Sequence, residues 1–352
     1  MKTNRRTGIE LLRIFAMFAI VLGHFVTHSN GFTTAISIKN PLVIAERMAE
    51  SFGLFKVNVF ILITGFFMIE KQMDFSQIKK RLFPLWRQVF GYSVAILIVM
   101  FVFFRPSIIE TIKSFFPILC YRYWFITTYF VLILLTPIIN RAFHNIEEKS
   151  MRKMVLAIVG CFALWQTLMP FVTTVDDMKG YSIIWFVVVY NIGGYIKKFG
   201  IDLVNNKLRI PLYLLMSVCY LGYSYIVELF STKTNIEVNI PYYNSIFALI
   251  ASVALFNFFL KTNINGKIGR IISYLSGSVI AIYLISDNPL VRGVLYKNIL
   301  NVDKYINHGV KTILIILLLA LLVFVVCLCI DLMRRGLVTV IEKSLKTIKS
   351  EG

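Results

Sequence analysis

An arginine and a histidine stand eleven positions apart in one apolar run, GIELLRIFAMFAIVLGHF, as Arg13 and His24. Ionisable groups are costly in hydrocarbon, and those that persist there mark ligand or proton pathways. At about 100° per residue, eleven residues make three turns and roughly 20°, so both side chains leave one helix face, about 16 Å apart along the axis. Glu10, three residues before Arg13, shares that face. Arginine offers a fork of donors that suits phosphate or carboxylate. Histidine exchanges protons near neutral pH. Two readings stay open on the residues alone. In one, Arg13 snorkels to headgroups and His24 bonds a neighbouring carbonyl. In the other, the face looks inward and joins an anion site to a deeper proton-transfer site.

The elements that must position these groups are membrane helices. The chain has 352 residues, of which 58% are hydrophobic and 16% charged; soluble domains carry about 25% charged residues. A net charge of +19 would suit nucleic acid, but the basic residues sit in short clusters between apolar runs, as topology determinants do. No nucleic-acid partner is expected. A bilayer-crossing helix needs about 20 apolar residues. About ten segments qualify on that measure: 8–28, 52–70, 83–104, 124–141, 154–173, 182–197, 209–228, 241–260, 269–288 and 311–331. Lysine and arginine concentrate on the side of the two termini, in clusters such as Lys79–Lys80–Arg81, Arg152–Lys153 and Arg334–Arg335. The positive-inside rule then places both termini in the cytoplasm. The expected fold is an all-α polytopic integral membrane bundle, N-in and C-in. It forms one domain over 1–352, with a basic cytoplasmic tail at 332–352. Within that tail, GLVTVIEKSLKTIKS suits a short amphipathic helix on the cytoplasmic surface. The first run lacks a small-residue cleavage site and reads as a retained span.

Other chemistries find no footing. The five cysteines form no CxxC pair, so neither a disulfide framework nor a zinc site is expected. There is no HExxH or Cys/His set for a metal, and no G-x-S-x-G elbow for a serine hydrolase.

The opening helix resembles that of the acyltransferase-3 family, bacterial multi-pass membrane enzymes that acylate glycans. The family's signature there is arginine, ten residues, then histidine, and Arg13 and His24 match it inside the context GIELLR. Further segments resemble the family in order. FILITGFFM (60–68) matches its second-span pattern, with Thr64 where serine is usual. KKRLFPLW (79–86) matches the basic entry to the third span, with Arg81 followed by Pro84. YWFITTYFVLILLTPIIN (123–140) matches the aromatic fourth span, and LSGSVIAIYLISDNPLVR (275–292) matches the late span. Many relatives end that last pattern in histidine, where this chain has Ser286. The resemblance covers roughly residues 5 to 330.

The resemblance implies O-acyl transfer from a cytoplasmic acyl-CoA, most often acetyl-CoA, used as a substrate, with no permanently bound cofactor. The acceptor is a hydroxyl of a cell-envelope glycan or lipid-linked sugar, and the site lies in the bacterial plasma membrane. Arg13, Lys80, Arg81 and Arg87 are the candidate donor-binding cations. Lys80 and Arg81 are equally open to a reading as topology anchors. Glu10 would orient Arg13. His24, as general base, and Arg13 are the candidate catalytic residues. Asn58, Thr64, Trp124, Tyr129 and Tyr283 are candidate donors to a tetrahedral oxyanion, each equally open to a packing role. His28 stands one turn beyond His24 as a second polar contact. Asp287, beside Asn288 and Pro289, reads as a turn residue or a partner of Arg292. The rival reading is a transporter or flippase for a glycolipid or small anion, which intramembrane charges also allow.

Overall fold

The computed structural model describes residues 6–28, 41–172, 174, 176, 178–201, 203–301 and 311–351, and among them there are helices and turns but no strand. In chain order the α-helices are α1 Thr7–His28, α2 Pro41–Phe52, α3 Asn58–Met68, α4 Phe75–Phe104, α5 Ile108–Phe115, α6 Trp124–His144, α7 Glu148–Val159, α8 Trp165–Leu168, α9 Ile183–Lys198, α10 Arg209–Thr234, α11 Ile246–Lys261, α12 Gly266–Leu275, α13 Val279–Ser286, α14 Pro289–Gly293 and α15 Lys311–Glu351. A π-turn fuses α7 to α8, and a 3₁₀ turn fuses α12 to α13.

Among the described residues, seven helices are long and apolar enough to cross a bilayer: 7–28, 75–104, 124–144, 148–168, 206–234, 266–286 and 311–342. The other three segments read as spans form the shorter helices α3, α9 and α11, of 11, 16 and 16 residues. At 1.5 Å per residue these reach only about 16 to 24 Å, less than the roughly 30 Å of hydrocarbon. The physical reason is their position. Most residues of all three are buried. A helix enclosed by others can end early, provided its terminal polar groups find partners. They do. The Asn140 amide donates to the carbonyls of Met68 and Lys71 at the end of α3, at 2.8 and 2.9 Å. Ser182 and Ser245 cap the starts of α9 and α11.

The backbones of α3 and α9 pack closely. A Cβ built on Gly65 would lie 2.1 Å from the Tyr190 carbonyl oxygen, and one on Gly193 would lie 2.5 Å from the Leu62 carbonyl oxygen. Only glycine allows that approach at both positions, the small-residue packing common between membrane helices.

Among the described residues two large apolar bodies result, beside a small cluster around Leu54, Tyr220 and Ala248. One gathers α3, α6, α9 and α11 around Trp185, Tyr190 and Phe256. The other gathers α4, α13 and α15 around Val89, Ile282 and Phe324. Helix α1 belongs to both: Leu12, Ala16 and Ala19 face the first body, and Met17, Val21 and Phe25 face the second.

Two expectations about the ends of helices change. Lys79, Lys80 and Arg81 lie within the first turns of α4, which starts at Phe75 with Asp74 accepting from the Gln77 amide at 2.7 Å. The basic tail is no separate helix: α15 runs unbroken from Lys311 to Glu351, because nothing between them, neither proline nor a left-handed glycine, interrupts the turn.

Candidate active site

On α1, Glu10, Arg13, Met17, Ile20, His24 and Thr27 follow one another three or four residues apart as one helical stripe, with Gly23, Val26 and His28 beside it. They line a cavity of about 870 Å³. That volume falls within the usual range for a small-molecule site. The face that carries Arg13 and His24 therefore looks into the bundle.

At one end, Arg13 Nη1 donates to both Glu10 carboxylate oxygens at 3.3 Å. Arg81 reaches in from α4, and its Nη2 donates to the Tyr129 hydroxyl at 3.1 Å. Ser276 and Gly277, at the 3₁₀ turn, close this end with backbone and small side chains. The arrangement presents two guanidinium groups, one balanced by a carboxylate and one by a neutral phenol. Its net excess of positive charge suits an anion.

At the other end, Asp287 stands at the C-terminus of α13 with its carboxylate buried. One oxygen, Oδ1, lies 3.6 Å from His24 Nδ1, 3.5 Å from His28 Nε2 and 3.6 Å from Arg292 Nη1. The chain reaches this geometry because Asn288 caps α14 through the Leu290 amide at 2.9 Å, turning the backbone so that Asp287 faces α1. Asn288 is itself held by Arg122 and by the Tyr123 hydroxyl, at 3.3 and 2.7 Å. Arg122 in turn pairs with Glu110 at 2.8 Å. The Tyr283 ring lies 6.0 Å from the His24 ring.

A third wall is aromatic. Trp124 packs on Tyr181 at 4.5 Å between centroids, Tyr181 on Tyr243 at 5.2 Å, and Tyr243 on Tyr242 at 4.4 Å. Lys56, in the turn between α2 and α3, extends into the cavity and donates to the Tyr242 hydroxyl at 3.0 Å. Beside it, Arg47 pairs with Glu228, and Glu50 also lines the cavity. Burial, reinforced by Glu50, pushes the neighbouring Glu46 carboxyl up to about 7 against the opposing pull of Arg47.

The cavity collects Arg13, His24, Glu10, Arg81, Thr64, Trp124, Tyr129 and Tyr283 from the residues singled out in the sequence. Asn58, Lys80 and Arg87 stand outside it. Asn58 is fully buried; its amide donates to the Tyr243 carbonyl at 2.8 Å and accepts from Trp185 Nε1 at 2.9 Å. That makes it a clamp between α3, α9 and the 243 turn. Lys80 lines only a shallow depression with Lys71 and Gln77, and Arg87 is exposed on α4. Both are turned away by the helical phase that brings Arg81 inward. Thr64 lines the cavity, yet its hydroxyl donates to the Phe60 carbonyl at 2.8 Å. Ser286 is buried and does not line the cavity; the next residue, Asp287, does. Asp287 does stand against Arg292, as one of its two sequence readings has it, and also meets His24 and His28; Lys56 carries no sequence signal for a role. His144 lies exposed at the end of α6, and His308 falls outside the described residues.

A membrane bundle with a charged, aromatic cavity between its helices defines a class with many activities. Family comparison narrows it. Residues 6–332 match the acyltransferase domain model of the acyltransferase-3 family, and the chain belongs to that family. It is a multi-pass membrane acyltransferase. No curated protein and no solved structure matches it.

Proposed function

We propose that the protein moves an acyl group, most often acetyl, from acyl-CoA to a hydroxyl of a cell-envelope glycan or lipid-linked sugar at the bacterial plasma membrane. The observation that carries this reading is that Arg13 and His24, three turns apart on one face, line one continuous cavity. In this reading α3, α9 and α11 count with the seven long helices as ten membrane-embedded segments, with both termini cytoplasmic. Acyl-CoA then enters from the Arg13 end. Its phosphates stay at the cytoplasmic rim, Arg13 and Arg81 hold polar groups of the donor, and the pantetheine arm carries the thioester toward His24.

Asp287 faces His24 Nδ1. A carboxylate there keeps the proton on Nδ1 and leaves the Nε2 lone pair for the acceptor, the positioning logic of an Asp–His pair. His24 Nε2 takes the proton of the acceptor hydroxyl as its oxygen bonds to the thioester carbon. The carbonyl pair moves to oxygen. On collapse the C–S bond breaks, and the thiolate leaves and takes the proton back from His24. The aromatic wall suits a sugar, whose C–H faces pack on rings while its hydroxyls meet the charged groups.

The test uses the purified full-length protein in nanodiscs, with radiolabelled acetyl-CoA and an envelope glycan extract. Label transfer that is lost in His24→Ala, and in Arg13→Ala at acetyl-CoA concentrations near the wild-type KM, is the expected result. Glycan movement across the bilayer without acylation would replace this reading with the transporter.

A further inference from the structure

Lys56 lines the cavity and has no part in the scheme above. Lys56 is buried, with 6% of its surface exposed. Among the described residues no carboxylate comes within ion-pair distance of its ammonium; its contacts are the Tyr242 hydroxyl at 3.0 Å and the faces of Tyr242 and Tyr243, 5.4 and 5.9 Å from the ring centroids. A buried ammonium is costly to keep, and phenol and ring faces compensate it only in part.

Its place is set from the other side by Gly23. A Cβ on Gly23 would lie 2.5 Å from Lys56 Nζ. The ammonium therefore rests against the α1 backbone one residue before His24, in space that any other residue would fill.

Acyl transfer needs two groups at the reacting carbon, a base for the hydroxyl proton and a donor for the developing oxyanion. Three of the five neutral candidates for the donor are committed elsewhere; Trp124 and Tyr283 line the cavity but bring no charge to a developing oxyanion. Asn58 lies outside the cavity, Thr64 donates to its own helix, and Tyr129 stands with Arg81 at the far end. We infer that Lys56 is the oxyanion-stabilising residue, its ammonium holding the thioester carbonyl oxygen while His24 accepts the acceptor's proton. The inference rests on the acyl-transfer reading. In the step, the acceptor O–C bond forms, the carbonyl electron pair moves onto oxygen beside Lys56, and the proton passes to His24. Lys56 gives up no proton. The pair then returns, the C–S bond breaks and the thiolate departs. The Tyr242 hydroxyl also donates to the Glu50 carbonyl at 3.4 Å, which fixes the phenol that holds the ammonium.

The experiment measures thiol release from acetyl-CoA, with and without envelope glycan extract, by full-length protein in nanodiscs. Lys56→Met is expected to lower kcat by about 100-fold or more, the usual loss on removing one oxyanion donor, with KM for acetyl-CoA unchanged. Lys56→Arg restores part of the rate. Gly23→Ala lowers kcat in the wild-type background and adds nothing in the Lys56→Met background, since it acts only by displacing the ammonium. Thermal unfolding of each variant separates loss of fold from loss of rate, and Lys56→Gln replaces Lys56→Met where the latter unfolds. A Lys56→Met enzyme with wild-type kcat overturns the inference and leaves the acyltransferase reading standing. So does a variant whose only change is a raised KM for the glycan, which would make Lys56 an acceptor anchor. Wild-type protein that releases no thiol overturns both.

Discussion

The two ends of the cavity are built by different means. At the Arg13 end the polar contacts are local and simple. Arg13 is tethered to Glu10 one turn away on the same helix, and Arg81 to a single phenol. Arg13 remains partly accessible, with 35% of its side chain exposed. At the His24 end the groups come from separate parts of the chain: His24 and His28 from α1, Lys56 from the 53–57 turn, Asp287 from the end of α13 and Arg292 from α14. The Asp287 side chain there is only 7% exposed, and its three cationic or imidazole neighbours lie within 3.6 Å. A site whose polar groups are fixed by distant segments is preorganised for chemistry. One built from a single helix and a neighbouring arginine is suited to holding a ligand that still reaches solvent.

The contrast sets an order of effects. His24→Ala removes the base and is expected to lower kcat by about 1,000-fold, within the range for general-base loss, with KM for acetyl-CoA unchanged. Asp287→Asn should cost about 100-fold in kcat, because His24 loses the group that orients its ring; a positioning role shows as an unchanged KM and a changed pH–rate profile. Arg13→Ala acts on the other parameter. Loss of a charge-assisted hydrogen bond, worth about 1.5–3 kcal/mol, should raise KM for acetyl-CoA by roughly 10- to 100-fold. Equal kcat losses from Arg13→Ala and His24→Ala would erase the distinction between the ends.

A smaller effect concerns pH. Glu46 in α2 has its carboxyl pushed up to about 7 in the folded protein by burial and by Glu50 and Glu228. A raised carboxyl binds protons more tightly folded than unfolded, so its stabilising contribution is present below about 4.5 and is lost as pH rises through about 7. Thermal unfolding in nanodiscs between pH 5 and 8 should show lower stability at the upper end, and Glu46→Gln should flatten that slope. The smallest effects belong to Lys80→Ala and Arg87→Ala, which stand outside the cavity and should change KM for acetyl-CoA by less than about twofold.

The same contrast explains what the sequence made legible. The Arg13–His24 face follows from helical period alone, because both residues ride on one regular element. Arg81 was marked by its basic cluster, but the cluster does not say which member turns inward; the phase of α4 does. Asp287 was hidden because an Asp-Asn-Pro run is also an ordinary turn, and its carboxylate meets His24 only through tertiary packing. Lys56 was hidden for a related reason: a single lysine inside an apolar run has no periodic partner to give it a face. Asn58 shows the converse. A polar residue in a span suits either a site or a clamp, and only the partners found at Trp185 and Tyr243 decide. The short helices were read as full spans because hydropathy registers burial, and burial by protein and by lipid leave the same apolar composition.

One feature of α1 fixes more than orientation. The helix is unbroken from Thr7 to His28, so the distance between its arginine and its histidine is a count of residues. It works as a gauge. One residue inserted between them would swing His24 by about 100° out of the cavity while adding only about 1.5 Å. Seven would return it to nearly the same face but lengthen the gauge by about 10 Å. The reach of the molecule that fits between these two side chains is written as an integer, and only coarse steps of that integer keep the histidine aimed at its work.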